Sequence, residues 1–207
     1  MYRPAHFDET RVPVLHDAIA KSGFATLLTS GAGGIEASHV PMLLDPEPAP
    51  LGTLLGHIAR DNPQWRAGAG EALAIFLGPD AYVSPSWYPT KKEHGKVVPT
   101  WNYVAIHARG PIEWFDDEAR LRAIVTRLTE KHEAGRPARW AVTDAPPDYI
   151  RSMLKAIVGF AIPIARLEGK WKMSQNRPPA DRQGVVGALR RDGKDEVADA
   201  IEKPRPA

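Results

Sequence analysis

The chain has no cysteine. That excludes a disulfide framework, a thiolate-held zinc or iron–sulfur centre and a thiol nucleophile. It also has little net charge: 27 Lys and Arg against 25 Asp and Glu leave a formal +2. Such a balance projects no strong field toward nucleic acid or an anionic membrane. No apolar run approaches the roughly 20 residues that a membrane span needs. The opening Met1-Tyr2-Arg3-Pro4-Ala5-His6-Phe7 has no apolar core of signal-peptide length. A cytoplasmic protein is expected. Common catalytic signatures are missing as well: there is no Gly-x-x-x-x-Gly-Lys-Ser/Thr, no His-Glu-x-x-His and no Gly-x-Ser-x-Gly. Gly31-Ala32-Gly33-Gly34 does not complete a Gly-x-Gly-x-x-Gly, because Glu36 stands where the third glycine belongs.

Turn formers are abundant. The 207 residues include 17 Gly and 20 Pro, which favours short elements over long helices. Val12, Leu15 and Ile19 fall at helical spacing within residues 8–22, with Asp8 or Thr10 as start caps and Gly23 just past the end. Residues 24–29 and 35–44 read as a hairpin around a flexible turn at 30–34, and 51–58 as the next strand. Residues 63–66 suggest one helical turn. Residues 72–77 and 81–84 read as two short strands split by Gly78-Pro79-Asp80. Residues 85–96 read as irregular, and a strand at 101–107 continues past a bend to 115. Leu121, Ile124, Val125 and Leu128 make an apolar stripe within 116–132, the clearest helix of the chain. A second helix is predicted within 144–157, a long strand over 160–173, and two closing helices over 181–191 and 194–203. Six or seven strands with short connections predict antiparallel pairing. The expected fold is mainly β with helices (α+β): a small closed or split barrel over residues 1–180, with a helical extension over 181–207.

Three clusters carry the chemistry. Tyr82, Trp87, Tyr88, Trp101 and Tyr103 gather around Lys91, Lys92, His94 and Lys96. Flat apolar faces beside cations suit a planar ligand bearing phosphate or carboxylate; a core corner with a solvated lysine loop is the plainer reading. His57-Ile58-Ala59-Arg60-Asp61-Asn62-Pro63-Gln64-Trp65 joins a strand end to a helix start, where free N–H groups and Arg60, Asn62 and His57 could hold an anion. An ordinary cap by Asp61 or Asn62 fits the same residues. Gly169-Lys170-Trp171-Lys172-Met173-Ser174-Gln175-Asn176-Arg177 mixes cations with short polar side chains at a strand end. The seven histidines show no metal-ligand spacing, and no metal site is expected.

Read with Gly78-Pro79-Asp80-Ala81-Tyr82-Val83-Ser84-Pro85-Ser86-Trp87-Tyr88, Val98-Pro99-Thr100-Trp101-Asn102-Tyr103 and Ile157-Val158-Gly159-Phe160, these clusters stand in a distinctive order. With the opening segment, the chain resembles the PaiB-type FMN-binding negative transcriptional regulators. The resemblance implies an FMN-binding split β-barrel, similar to the pyridoxamine phosphate oxidase-like flavoproteins, working as a homodimer with flavin sites at the interface. It implies phosphate contacts at Ser38, His39, His57, Ala59, Arg60 and Asn62. Ring contacts from the partner subunit would fall to Tyr82, Ser84, Lys172, Ser174 and Gln175. Where related oxidases carry an arginine on the second strand, this chain has Ser38 and His39. The implied role is a transcriptional or flavin-responsive regulator. Two other uses of the barrel stay open: a flavin-dependent oxidoreductase acting on a small molecule, and a haem protein with His39, His57 or His94 as axial ligand. Arg182, Arg190, Arg191 and Lys194 flank the Gly193 turn. They allow either a DNA-contacting helix pair or a barrel-capping appendage.

Overall fold

The computed structural model describes residues 1–31 and 33–203. Eight strands and six α-helices occur among them, as in an α+β split-barrel fold. The strands are β1 (Asp8–Glu9), β2 (Phe24–Gly31), β3 (Gly34–Asp45), β4 (Thr53–Ala59), β5 (Gly70–Val83), β6 (Thr100–Phe115), β7 (Ile157–Pro163) and β8 (Arg166–Lys172). The helices are α1 (Val12–Ser22), α2 (Lys91–His94), α3 (Glu118–Glu133), α4 (Pro147–Lys155), α5 (Pro179–Arg191) and α6 (Asp195–Glu202). The chain forms two compact units, and β5 and β6 each run through both.

The barrel unit comprises Arg11–Phe76 and His107–Leu167. Its strands neighbour one another in the order β6-β5-β2-β3-β4-β7, and β7 pairs again with β6, which closes the ring. Closure leaves no unpaired edge. The β2–β3 hairpin pairs Phe24 with Pro41 and Gly31 with Gly34, as the alternation predicts. Ala32, within the predicted 30–34 turn, lies outside the described residues. Inward positions alternate along the strands: Ala25 and Leu27 on β2, Leu54 and Ile58 on β4, and Ala72, Ala74 and Phe76 on β5 are buried. Full burial of one such large side chain contributes roughly 1.5–3 kcal/mol. Gly56 of β4 makes room for Phe160 of β7; a Cβ there would stand 2.4 Å from the ring. On α3, Leu121 packs with Val142, Ile150 and Leu154, whereas Ile124 and Leu128 pack with Leu43. Asp117 caps this helix by accepting the Arg120 N–H at 2.8 Å.

The sheet unit comprises Met1–Thr10, Leu77–Ile106 and the chain from Glu168 onward. Here β1 pairs antiparallel with β8, Asp8 opposite Lys170, and the order continues through β6 to β5. Helices α5 and α6 pack against each other across the Gly193 turn (φ 69°). Residues 204–207 of the predicted extension lie outside the described residues.

Several expected boundaries shift, each for a physical reason. The predicted 160–173 strand is two strands, β7 and β8. Pro163 has no N–H to continue a ladder, and Ile164 and Ala165 donate instead to Gly52 O and Arg109 O before β8 begins. The two strands expected on either side of Gly78-Pro79-Asp80 are one continuous β5. Gly78 admits the Val104 side chain, which a Cβ would meet at 2.9 Å, and the φ fixed by proline fits an extended strand. The segment expected to be irregular contains a 3-10 turn at Pro85–Trp87 and the short α2. Arg11, not Asp8 or Thr10, stands at the start of α1, with Pro13 in its first turn; Gly23 ends that helix at φ 61°. The α4 helix ends at Lys155, so Ile157 opens β7 and is not part of the helix's apolar face.

Candidate functional site

The segment after β4 turns into a 3-10 helix, Pro63–Ala67, and its start is built from side chains of distant strands. Asn62 is the cap: its Oδ1 accepts the Gln64 N–H at 3.0 Å. The same amide donates from Nδ2 to Ser38 Oγ on β3 at 2.8 Å. Both ends of the Asn62 amide are therefore fixed, with one Nδ2 hydrogen and the Ser38 hydroxyl hydrogen left to donate. Gln64 anchors this turn. It is buried, and its Nε2 points at Leu27 O (3.3 Å), Thr29 Oγ1 (3.1 Å) and Glu36 O (3.3 Å). Its Oε1 is buried with no hydrogen bond. Trp65 closes the turn by donating from Nε1 to Arg60 O at 2.8 Å.

The other predicted residues of this unit have different tasks. Arg60 donates from Nε to Lys155 O (2.7 Å) and from Nη2 to Ile157 O (3.0 Å), so its fork bridges the last carbonyl of α4 and the first of β7. Its Nη1 lies 3.9 Å from Asp116 Oδ2. Ala59 ends β4 and accepts the Asn62 N–H at 3.0 Å. His39 sits opposite Thr26, with Nδ1 3.0 Å from Thr26 Oγ1. His57 sits opposite Gly159, and its Nδ1 is buried without a hydrogen bond. Burial holds its pKa below the ordinary 6.5, so the ring is neutral at pH 7.

In the sheet unit the structure joins several predicted residues to partners that the sequence did not single out. Lys172 Nζ donates to Thr100 Oγ1. Ser174 has a left-handed backbone (φ 59°) and is buried, and its Oγ accepts from Asn102 Nδ2 at 3.0 Å. A non-glycine residue at positive φ stores strain and is common at functional sites. Gln175 folds back on the strand end: Oε1 accepts the Met173 N–H (2.7 Å) and Nε2 donates to Trp171 O (2.6 Å). Tyr82 and Trp101 form an edge-to-face pair 6.1 Å apart, each about half exposed. Ser84 caps the Pro85–Trp87 turn by accepting the Ser86 N–H. The buried Asp181 carboxylate accepts from Thr90 N (3.2 Å) and Thr90 Oγ1 (2.8 Å).

Cations outnumber anions here. Lys170 is only 8% exposed and lies between the rings of Tyr2 (5.4 Å) and Tyr103 (5.3 Å). Arg177 stands 4.6 Å over the buried ring of Tyr88. Burial raises the Tyr88 phenol above its ordinary pKa, against the pull of Arg177. Burial lowers that of Lys172, Tyr103 opposes this, and the like charges of Lys170 and Arg177 lower it further.

Gln64, Lys170 and Arg177 stand within the clusters singled out above, and Asn102 in a family motif, but none of the four was named as a site residue. For Lys170 the signal was present: it stands two positions before Lys172 on a strand, hence on the same face. Among the described residues no group of three or more His, Asp or Glu could hold a metal. No described helix is long and apolar enough to cross a membrane. Of the basic residues flanking the Gly193 turn, Arg190 is engaged by three carboxylates: Asp195 (3.2 Å), Asp199 (2.6 Å) and Glu202 (2.6 Å). Arg182 donates to Ile201 O at the end of α6. His94 accepts the Lys96 N–H at Nδ1.

Known proteins resemble this chain in sequence and in fold. Residues 1–166 match the sequence model of a family described as "Putative FMN-binding domain". The protease synthase and sporulation protein PAI 2 of Bacillus subtilis is 33% identical over 193 residues, covering 91% of this chain and 89% of that protein. An uncharacterized protein of Aspergillus fumigatus is 35% identical, covering 98% of this chain and 95% of that one. Among solved structures, the flavocytochrome Anf3 of Azotobacter vinelandii superposes with a TM-score of 0.62 at 12% identity, over 83% of this chain and 72% of that one. The FAD and heme binding protein of Mycobacterium smegmatis superposes with a TM-score of 0.60 at 19% identity, over 80% and 73%. At such identities the two structures speak for the fold alone.

Proposed function

The chain belongs to the FMN-binding domain family, and from that premise we propose that it is an FMN-binding split-barrel regulator of the PaiB type, working as a homodimer in the cytoplasm. The observation that carries the reading is the Ser38–Asn62 pair. Its two free hydrogens are oriented donors of the kind that hold phosphate oxygens, and Gln64 fixes them before any ligand arrives. His39, His57, Ala59 and Arg60 border the same turn and complete the phosphate side. His57 contributes as a neutral ring, and Arg60 through the backbone it holds in place. Tyr82, Ser84, Lys172, Ser174 and Gln175 take the ring side, supplied by the second copy. The Ser38–Asn62 donors fit a phosphate without a carboxylate in the pair to repel it. Bound FMN supplies one- or two-electron transfer, which a cysteine-free chain cannot supply itself. The chain's own residues bind and orient it. Regulation would take the form of a response to the flavin, delivered through a partner protein. Arg190, held by three carboxylates, offers little to a DNA phosphate.

Calorimetry with FMN and riboflavin tests the reading. We expect FMN to bind with micromolar affinity or better and riboflavin, which lacks the phosphate, about tenfold more weakly, a difference of about 1.4 kcal/mol. Colourless protein that gives no heat with FMN would sink it. Sedimentation of the FMN complex at half the mass of a dimer would remove the homodimer.

A further inference from the structure

Helices α5 and α6 flank a cavity of about 610 Å³ that lies wholly within the sheet unit. Small-molecule sites typically span roughly 300–1,000 Å³. Val186 of α5 and Ile201 of α6, both buried, form the apolar floor. Gly187 keeps the space open: a Cβ added there would meet nothing nearer than Arg191 Nη1, at 3.7 Å.

The polar side of the cavity carries both signs of charge. Arg182 donates from Nη2 to Ile201 O at 2.7 Å, which uses one of the guanidinium's five hydrogens. Its Nε is buried and has no hydrogen bond. Glu202 follows directly after that carbonyl and lines the same cavity. Its Oε2 accepts from Arg190 Nη2 at 2.6 Å, and its second oxygen can accept again. Arg190 is itself held by Asp195 and Asp199, so Glu202 is oriented before any ligand arrives. A guanidinium fork and a carboxylate set side by side over an apolar floor are the complement of a zwitterion with a hydrocarbon tail.

We propose that this cavity binds a free apolar α-amino acid of the class of leucine. Arg182 takes the α-carboxylate by a two-pronged contact. Glu202 Oε1 accepts from the α-ammonium. The hydrocarbon side chain lies on Val186 and Ile201 in the room that Gly187 leaves. A lone carboxylate or a lone amine satisfies one end only. A phosphate is disfavoured, because the carboxylates of Asp195, Asp199 and Glu202 converge on Arg190 at the same rim. The cavity shares no residue with the proposed flavin site, so either can stand without the other.

The probe is L-leucine, titrated calorimetrically into the full chain. Leucine amide, which lacks the carboxylate, and isocaproate, which lacks the ammonium, are the analogues. The expected result is saturable heat with leucine and an affinity about tenfold or more weaker for each analogue. Gly187→Leu fills the cavity and should abolish the heat. Its urea midpoint should stay at or above the parent's, because a helical glycine gives way to a better helix former. Arg182→Met should weaken leucine about tenfold and leave leucine amide unchanged. Glu202→Gln should weaken leucine and leave isocaproate unchanged. No saturable heat with millimolar leucine overturns the site, and so does binding that Gly187→Leu leaves intact. Equal affinity for isocaproate or for leucine amide overturns the zwitterion in favour of a simple anion or a simple amine. Leucine binding in protein that takes up no FMN would leave this site standing and remove the flavin reading, and the reverse result would remove this site alone.

Discussion

The two units hold their polar groups by different means. In the barrel unit the Ser38–Asn62 pair is neutral, built from amide and hydroxyl groups, and held by bonds from a buried glutamine. In the sheet unit Lys170 and Arg177 are charged and meet aromatic faces, and Lys172 donates to a hydroxyl. The first arrangement costs the free protein little, because each group is mostly satisfied without a ligand. The second sets like charges near one another: Lys170 and Arg177 both work against the charge on Lys172. The contrast predicts that damage to the first region lowers stability, and that damage to the second relieves it.

The largest effect is expected at Gln64. Gln64→Leu removes the amide whose Nε2 faces Leu27 O, Thr29 Oγ1 and Glu36 O, so we expect a loss of about 3 kcal/mol in urea denaturation. A loss below about 1 kcal/mol would mean that the turn is held by Trp65 and Arg60 instead. Asn62→Ala comes next. It removes the cap and the bond to Ser38, for about 1–2 kcal/mol, and should bring FMN and riboflavin affinities together. Asn62→Asp should keep the cap but place a negative charge beside the phosphate, so stability and selectivity separate in that variant.

The smallest effect, and of opposite sign, belongs to Lys172. Its pKa in the folded protein lies below the ordinary 10.5, through burial first and then the neighbouring Lys170 and Arg177. Between the folded value and 10.5 the unfolded chain binds more protons, so this group makes the protein more stable as pH rises through that window. At neutral pH it costs stability. Lys172→Met should therefore be as stable as the parent at neutral pH or slightly more so, and should lose part of the alkaline rise. A clear loss of stability at neutral pH would erase the contrast between the two regions.

How much of this was legible in the sequence depends on the distance between the residues concerned. The β2–β3 hairpin and the stripe of α3 follow from local periodicity, and both appear where the pattern put them. The division of the 160–173 run into β7 and β8 was hidden, because Phe160, Ile162 and Ile164 keep an apolar alternation across Pro163. The Asn62 cap was visible as a local motif. Its bond to Ser38, 24 positions away, was not, and neither was the use of Arg60 to satisfy carbonyls at residues 155 and 157. Lys172 was singled out for its place in a motif. Lys170 stands in the same cluster, but its burial between Tyr2 and Tyr103 depends on residues far along the chain and was not legible there.

The close fit of Gly56 against Phe160 has a consequence for how this sequence can drift. No substitution at position 56 is accessible while the phenyl ring stands 2.4 Å from where a Cβ would go. Any single step from glycine must pass through a clashing intermediate, whereas shrinking residue 160 first opens a cavity of a phenyl group's size, at about 3–5 kcal/mol. The two positions therefore behave as one heritable character. Relatives carrying a side chain at the first position should carry a smaller residue than phenylalanine at the second, and the pair should be lost or kept together.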